Sequence, residues 1–459
     1  MGLEIQRLLP GQVQQTTTRD ALGRPTEQLT GHASKRQRSR KYNWSTSNRL
    51  TQIIDTATGT THFDYNKEGY LTQAKYADGS TTNRYPDAKG NLYEDANFKD
   101  REYTHGGKLV KKGSWHYKYN HQGFLTEKYK KTGSLFSFKE DRWYYDWNSA
   151  GLLEAVKRPD GAIVKFGYDA LGRRIFKHYK QTFTNFVWDG NVPLHEFKTF
   201  TSKDALSDNV ITWLFEEDSF SPIAKVKGNK YYSILADHLG TPIEMYQDDG
   251  SLFWERQLNA NGKTIKETQQ GSCPFLFQGQ YYDAEIELAY NRFRYYDVED
   301  GRYISQDPIG LLSGEFGFYN YVEDTNDWLD VYGLSSNAYV KNGVLKIKNK
   351  FAKNSAESKQ LKKFVKEWNK QIKKNGGSMT RQSVSKKDRR KASYEAKKEK
   401  VNNPSLYQNG EVAGHISDVG WGGDATGPFM PLDSSVNSYV GGLTQGVNTG
   451  TSYTSVVLF

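Results

Sequence analysis

Over its first three hundred residues the chain alternates aromatic or β-branched positions with polar ones in short runs. Trp115-His116-Tyr117-Lys118-Tyr119 is an example. A period of two predicts strands, and each run ends in a turn signal. That signal is Asp or Asn followed three residues later by Gly: Asp20/Gly23, Asn66/Gly69, Asp87/Gly90, Asn120/Gly123, Asn148/Gly151, Asp169/Gly172 and Asp237/Gly240. Asp or Asn opens a turn by bonding its own backbone, and Gly supplies the positive φ that returns the chain. Seven copies with one offset predict a repeat built of hairpins, coiling as a long antiparallel sheet.

After Leu334 the period changes. Leu361, Phe364, Val365, Trp368 and Ile372 fall at helical spacing, predicting a helix over Ser358–Lys374 that Gly376-Gly377 stops. A second, very basic helix is predicted over Ser385–Lys400, ending before Pro404. Val401–Phe459 holds no Lys or Arg, is rich in Gly, Ser and Thr, and is expected to form loops and short strands. The fold class is therefore a mainly β repeat shell followed by a small α+β domain.

Composition supports two units. A chain of 459 residues exceeds one ordinary core, and 31 Tyr with 23 Phe bury enough area to exclude pure disorder. The lone Cys273 excludes an intramolecular disulfide and reads as a buried structural thiol. No apolar run reaches about 18 residues and no signal-peptide pattern is visible, so neither stable membrane insertion nor Sec export is expected.

Charge is unevenly placed. Residues 335–459 carry 21 Lys and Arg against 9 Asp and Glu, all the basic ones between Lys341 and Lys400. The whole chain is +10, so its excess positive charge lies entirely in this piece. Such a block attracts polyanions, nucleic acid above all, or else forms a solvated helix face.

Tyr168-Asp169-Ala170-Leu171-Gly172-Arg173, the DHLGTP run at Asp237, and residues 277–311 (FQGQYYDAEIELAYNRFRYYDVEDGRYISQDPIGL) resemble the Rhs/YD-repeat family, from about residue 10 to Leu334. The resemblance implies a spiralling β-cocoon over residues 1–300, a core end over 301–334, and an enclosed C-terminal toxin over 335–459. It also implies a cut after the second of two DPxGL-like turns. The first turn, Asp307-Pro308-Ile309-Gly310-Leu311, is intact. The second, Asp330-Val331-Tyr332-Gly333-Leu334, has Val331 in place of proline, and the expected scissile bond is Leu334–Ser335.

Such a cut needs two carboxyl groups sharing a proton, one activating water and the other polarising the carbonyl. Asp307 and Asp330 are the first choice, Asp324 is a substitute for either, and Arg302 is expected to hold one carboxylate ionised. The plainer reading is that each Asp only starts a turn.

Beyond the helices, chemistry gathers in Gly414-His415-Ile416-Ser417-Asp418-Val419-Gly420-Trp421-Gly422-Gly423. His suits a general base or metal ligand, and Asp is a hard ligand suited to Mg²⁺. HxxD in this context, followed by Pro431-Leu432 and Val436-Asn437-Ser438, resembles the toxin-15 (HxxD) family of polymorphic toxins. Its members are implicated as metal-dependent DNases of type VI secretion. The resemblance makes His415 and Asp418 the catalytic pair, with Mg²⁺ or another divalent ion as cofactor. Asp433 and Asn437 are further candidate metal or orienting groups. Lys386, Lys387, Arg389, Arg390, Lys397 and Lys398 are candidates for the DNA backbone.

Three alternatives stay open: an RNase, a His/Asn ββα-metal nuclease using His415 and Asn437, and a non-enzymatic adhesion or binding protein. The leading expectation is a secreted effector made in the bacterial cytoplasm and acting in a target cell's cytoplasm. It would be carried by a type VI VgrG/PAAR-type spike or chaperone and restrained by an acidic immunity protein.

Overall fold

A computed structural model describes residues 4–32, 37–134, 137–200, 210–217, 219–310, 317–334, 338–341, 343–349, 351, 355–408, 410–443, 447 and 450–458. The chain divides into two compact units. One comprises Gly2–Pro308 with Phe316–Gly333, the other Leu334–Phe459 with Ile309–Glu315.

In the first unit consecutive strands pair antiparallel, eight in one sheet from Gln6 to Asn83 and sixteen in another from Arg101 to Glu267. All seven predicted turns form. In each, Gly donates its N–H to the Asp or Asn carbonyl at 2.9–3.1 Å and takes a φ between +74° and +88°. The Asp or Asn Oδ1 also accepts the N–H four residues on, as from Tyr70 to Asn66 and from Arg173 to Asp169. The same backbone turn occurs at Tyr76/Gly79, Arg158/Gly161 and Gln247/Gly250, where the first residue is neither Asp nor Asn. Gly is therefore the requirement, and the side-chain acceptor reinforces it.

Residues 273–310 and 317–333 lie across these sheets and complete the core. Four short strands, from Tyr281 to Tyr303, place Tyr281, Leu288, Tyr290, Tyr295 and Ile304 among Trp143, Phe166, Trp213 and Trp254 of the sixteen-stranded sheet. Backbone bonds tie them in, from Leu125 N–H to Ile304 O (3.0 Å) and from Leu71 N–H to Glu323 O (3.1 Å). Ion pairs do the same. Arg174 and Lys177 hold Asp283, Lys128 holds Asp297 at 2.8 Å, and Lys112 holds Asp300 at 3.2 Å. Arg174 and Asp283 are both fully buried. The first sheet also meets the far end of the second, where Arg38 pairs with both Asp55 and Glu244.

The second unit is α+β. Helix α1 (Ala356–Lys374) buries Leu361, Phe364, Val365, Trp368 and Ile372, the predicted stripe, against Trp421, Leu432, Val436 and Tyr453. Gly376 and Gly377 both take positive φ beyond its C-cap. Helix α2 (Lys386–Asn402) is largely solvated, with Ala392 buried. A third helix, α3 (Ser434–Gly442), stands where only loops and short strands are predicted, and Asp433 caps it. No helix among the described residues is long and apolar enough to cross a membrane.

Removing one partner of a buried pair strands the other charge, at a cost of about 3–5 kcal/mol. Asp283→Ala, which leaves both Arg174 and Lys177 unmatched, is expected to lower the stability of the first unit by that order. The change would appear as a lower urea midpoint in tryptophan fluorescence.

Candidate cleavage centre and candidate nuclease site

Two candidate sites exist, one in each unit. In the first, strand Arg294–Asp297 pairs with Leu288–Asn291 across a tight turn at Arg292-Phe293, and all four of its residues are buried. Arg294 there gathers the end of the unit around itself. Its Nη2 lies 3.1 Å from Asp330 Oδ2 and 3.3 Å from Asp307 Oδ2, so one nitrogen bridges the two carboxylates. Its Nε donates to Gly333 O, its Nη1 donates to Phe318 O at 3.2 Å, and its guanidinium lies over the Tyr303 ring. Tyr303 Oη donates to Asp330 Oδ2 at 2.8 Å, and Asn291 Nδ2 donates to Asp330 O at 2.8 Å.

Asp307 and Asp330 are thus brought together, while the other two sequence candidates sit elsewhere. Arg302 does not hold either carboxylate. It donates to Gly107 O and stacks between Tyr103 and Tyr319, because its strand position turns it toward the sixteen-stranded sheet. Asp324 pairs with Arg49 at 3.2 Å and accepts the Asn326 N–H, which makes it a turn-capping residue of the eight-stranded side. Leu334 is described and Ser335 lies outside the described residues. Arg294, Tyr303 and Asn291 were not singled out from sequence. Only their position within the family-like run 277–311 marks them.

In the second unit His415 ends strand Glu411–His415, paired with Phe429–Asp433. It is half-buried against the Phe429 ring, and its Nε2 lies 3.0 Å from Ala425 O. A carbonyl only accepts, so Nε2 carries a proton in this contact and Nδ1 is the ring's remaining nitrogen. Asp418 opens the short turn Val419–Trp421, its Oδ1 accepting from Gly420 N–H at 2.8 Å. It makes no hydrogen bond to His415 among the described contacts. Helix α3 runs past both residues: Asn437 Oδ1 would lie 3.0 Å from a Cβ at Gly414, and Asp418 Oδ2 3.7 Å from one at Gly441.

Asp433 is half-buried, its Oδ1 taken by the Ser435 N–H and hydroxyl, which hold its carboxyl below the usual range. It is a helix cap, since the N-terminal amides of α3 claim it. No three His, Cys, Asp or Glu side chains gather anywhere among the described residues. The donors present do not fit a preformed divalent-metal cage. Helix α2 packs against the His415 strand, with Lys400 Nζ donating to Glu411 O at 2.7 Å. Lys387, Arg389, Arg390, Lys397 and Lys398 are exposed on it; the Lys386 side chain lies outside the described set.

A family model described as Teneurin YD-shell matches residues 11–338. The chain belongs to the Teneurin YD-shell family. Among relatives of this YD-shell chain, double-stranded DNA deaminase toxin A of Burkholderia cenocepacia (strain H111) is 27% identical over 367 residues, covering 71% of this chain and 25% of the relative. Toxin protein Tse5 of Pseudomonas aeruginosa is 49% identical over 78 residues, 17% of this chain and 6% of that protein. Probable deoxyribonuclease RhsA of Dickeya dadantii (strain 3937) is 30% identical over 177 residues, 37% and 12%. The chain spans a quarter or less of the length of these relatives. Their names attach different chemistries to related chains, so likeness in the YD-shell does not fix what residues 335–459 do.

Burial pushes the Asp324 carboxyl up to about 6, with Asp327 adding to the push and Arg49 and the Asn326 amide opposing it. The folded YD-shell therefore binds this proton more tightly than the unfolded chain, whose aspartates titrate near ~3.9. Stability contributed by this group falls as pH rises from about 4 through about 6. Asp324→Asn is expected to flatten the urea midpoint across that window, as denaturation at pH 4.5 and pH 7 would measure.

Proposed function

We propose that the chain is a toxin effector whose YD-shell unit cuts itself from residues 335–459 after Leu334, and that the released unit is a DNase. The observation that carries the first half is the meeting of Asp307, Asp330 and the Gly333 carbonyl on one buried guanidinium, Arg294. Two carboxylates on one cation supply the base and acid of a hydrolysis. One takes a proton from water as it adds to the Leu334 carbonyl carbon. The other, protonated, shares its proton with the forming oxyanion, and the Ser335 nitrogen leaves with a proton. The products are the Leu334 carboxylate and a Ser335 amine. Arg294 fixes the chain one residue before the bond, so its part is positioning.

The second half is supported by the His415–Asp418 turn beside α3 and by the basic α2 on the His415 strand. His415 Nδ1 takes a proton from water attacking the phosphodiester, and the exposed cations of α2 hold the substrate backbone without reading sequence. Relatives named as a deoxyribonuclease and as a DNA deaminase agree with nucleic acid as target. Delivery by a secretion spike and restraint by an immunity protein belong to the same reading.

Asp307→Asn and Asp330→Asn are each expected to give a single full-length band on a denaturing gel, where the wild type gives two. Persistent cleavage in both removes the centre from the proposal. Plasmid DNA and total RNA incubated with the protein, with Mg²⁺ or with chelator, separate the nuclease readings. DNA loss abolished by His415→Ala and weakened steeply by salt is the expected result.

A further inference from the structure

Asn291 and Tyr303 form a chain of hydrogen bonds that ends on one of the two carboxylates at Arg294. Both residues are 0% exposed. Asn291 Nδ2 donates to Asp330 O at 2.8 Å and to Tyr303 Oη at 2.7 Å. The carbonyl only accepts, which fixes the nitrogen of the Asn291 amide on this side. Tyr303 Oη is therefore an acceptor toward Asn291, and its single proton goes to Asp330 Oδ2, 2.8 Å away. Burial and the Asp330 charge push the phenol well above its usual value, against Arg294, so it keeps that proton. The Arg294 guanidinium, 3.6 Å from the Tyr303 ring centroid, holds the ring from its face.

The two aspartates are consequently not equivalent. Asp330 Oδ2 accepts from Tyr303 Oη and from Arg294 Nη2, the latter at 3.1 Å. Asp307 Oδ2 faces the same Nη2 at 3.3 Å. Donors aimed at a carboxylate favour its charged form, and two carboxyls gathered this closely favour one shared proton. Asn291 also acts on the exit segment. Its side chain holds the Asp330 carbonyl, and a Cβ on Gly333 would lie 2.5 Å from its backbone oxygen. The stretch from Asp330 to Gly333 is thereby fixed at both ends, just before Leu334.

We propose that Asn291 and Tyr303 are positioning residues of self-cleavage: they hold Asp330 as the anion that acts as base and leave the proton of the pair on Asp307, the acid. The assignment rests on the chain cutting itself after Leu334. Asp330 takes a proton from water as the water oxygen bonds the Leu334 carbonyl carbon, and Asp307 passes its proton to the carbonyl oxygen. As the C–N bond breaks, Asp330 gives its proton to the Ser335 nitrogen. Asp307 recovers one from a hydroxyl on the same carbon, leaving the Leu334 acid and the Ser335 amine.

The test follows the full chain, collected as inclusion bodies and dissolved in urea, after dilution into buffers from about pH 4 to about pH 9. Loss of the full-length band on denaturing gels gives the rate of cutting, and tryptophan fluorescence reports folding. The wild-type rate is expected to rise with pH as Asp330 ionises and to fall as Asp307 loses its proton. Tyr303→Phe keeps the ring and removes one donor to the Asp330 carboxylate. Its acid limb is expected to move up by about one pH unit, about a tenfold loss of rate on that limb, with the alkaline limb in place. Asn291→Leu is expected to move the same limb by less and to slow cutting at every pH. If Tyr303→Phe does not recover native fluorescence, Asn291→Leu decides alone. Wild type uncut at every pH removes self-cleavage itself, and the assignment with it. Wild type cut, with the acid limb unmoved in the folded variants or the alkaline limb moved instead, overturns the assignment alone.

Discussion

The YD-shell unit depends on charge neutralisation across its own core. Strands of the sixteen-stranded sheet send Lys112, Lys128, Arg174 and Lys177 toward Asp283, Asp297 and Asp300 of the segment that lies across it. A hairpin repeat fixes register within each hairpin by its turn, but similar hairpins alone say little about where a segment lying across them should dock. Buried ion pairs at fixed positions remove that freedom. Asp283 accepts only where Arg174 and Lys177 both reach it, and Glu244 only where Arg38 does. Such pairs are weak sources of net stability, and specification of a single arrangement is what they supply here.

The hairpin architecture was legible because its signals are local. The Asp/Asn-x-x-Gly turn is decided within four residues, and the apolar stripe of α1 within five turns. What escaped was non-local. Arg294 lies 36 residues from Asp330 and 13 from Asp307 in sequence, and nothing in the RYYD alternation says which arginine turns toward them. Arg302 stood nearer to Asp307 in sequence and was the natural choice, yet strand alternation points it at Tyr103 and Tyr319. Sequence proximity and facing are different quantities wherever a chain folds back on itself.

In the C-terminal unit the HxxD cluster was visible as chemistry but not as geometry. His415 ends a strand and Asp418 starts a turn, so the two lie in different elements and their spacing alone does not say how they face. Asp433 shows the opposite error: a carboxylate read for its affinity for metal was placed by the need of α3 for an N-cap. The pattern Asp433-Ser434-Ser435 before Val436 carried that information and, read first as a helix start, would have revealed α3.

The chain leaves the YD-shell unit at Gly333, whose carbonyl is held by Arg294. The same guanidinium grips Phe318, Asp307 and Asp330, and Asn291 grips the Asp330 carbonyl. A pull on residues 335–459 is therefore delivered to several buried contacts at once. A β-ladder would yield it one hydrogen bond at a time. The exit point is a mechanical anchor, where load on the tether meets one buried guanidinium and its oxygen contacts before it reaches any strand of the two large sheets.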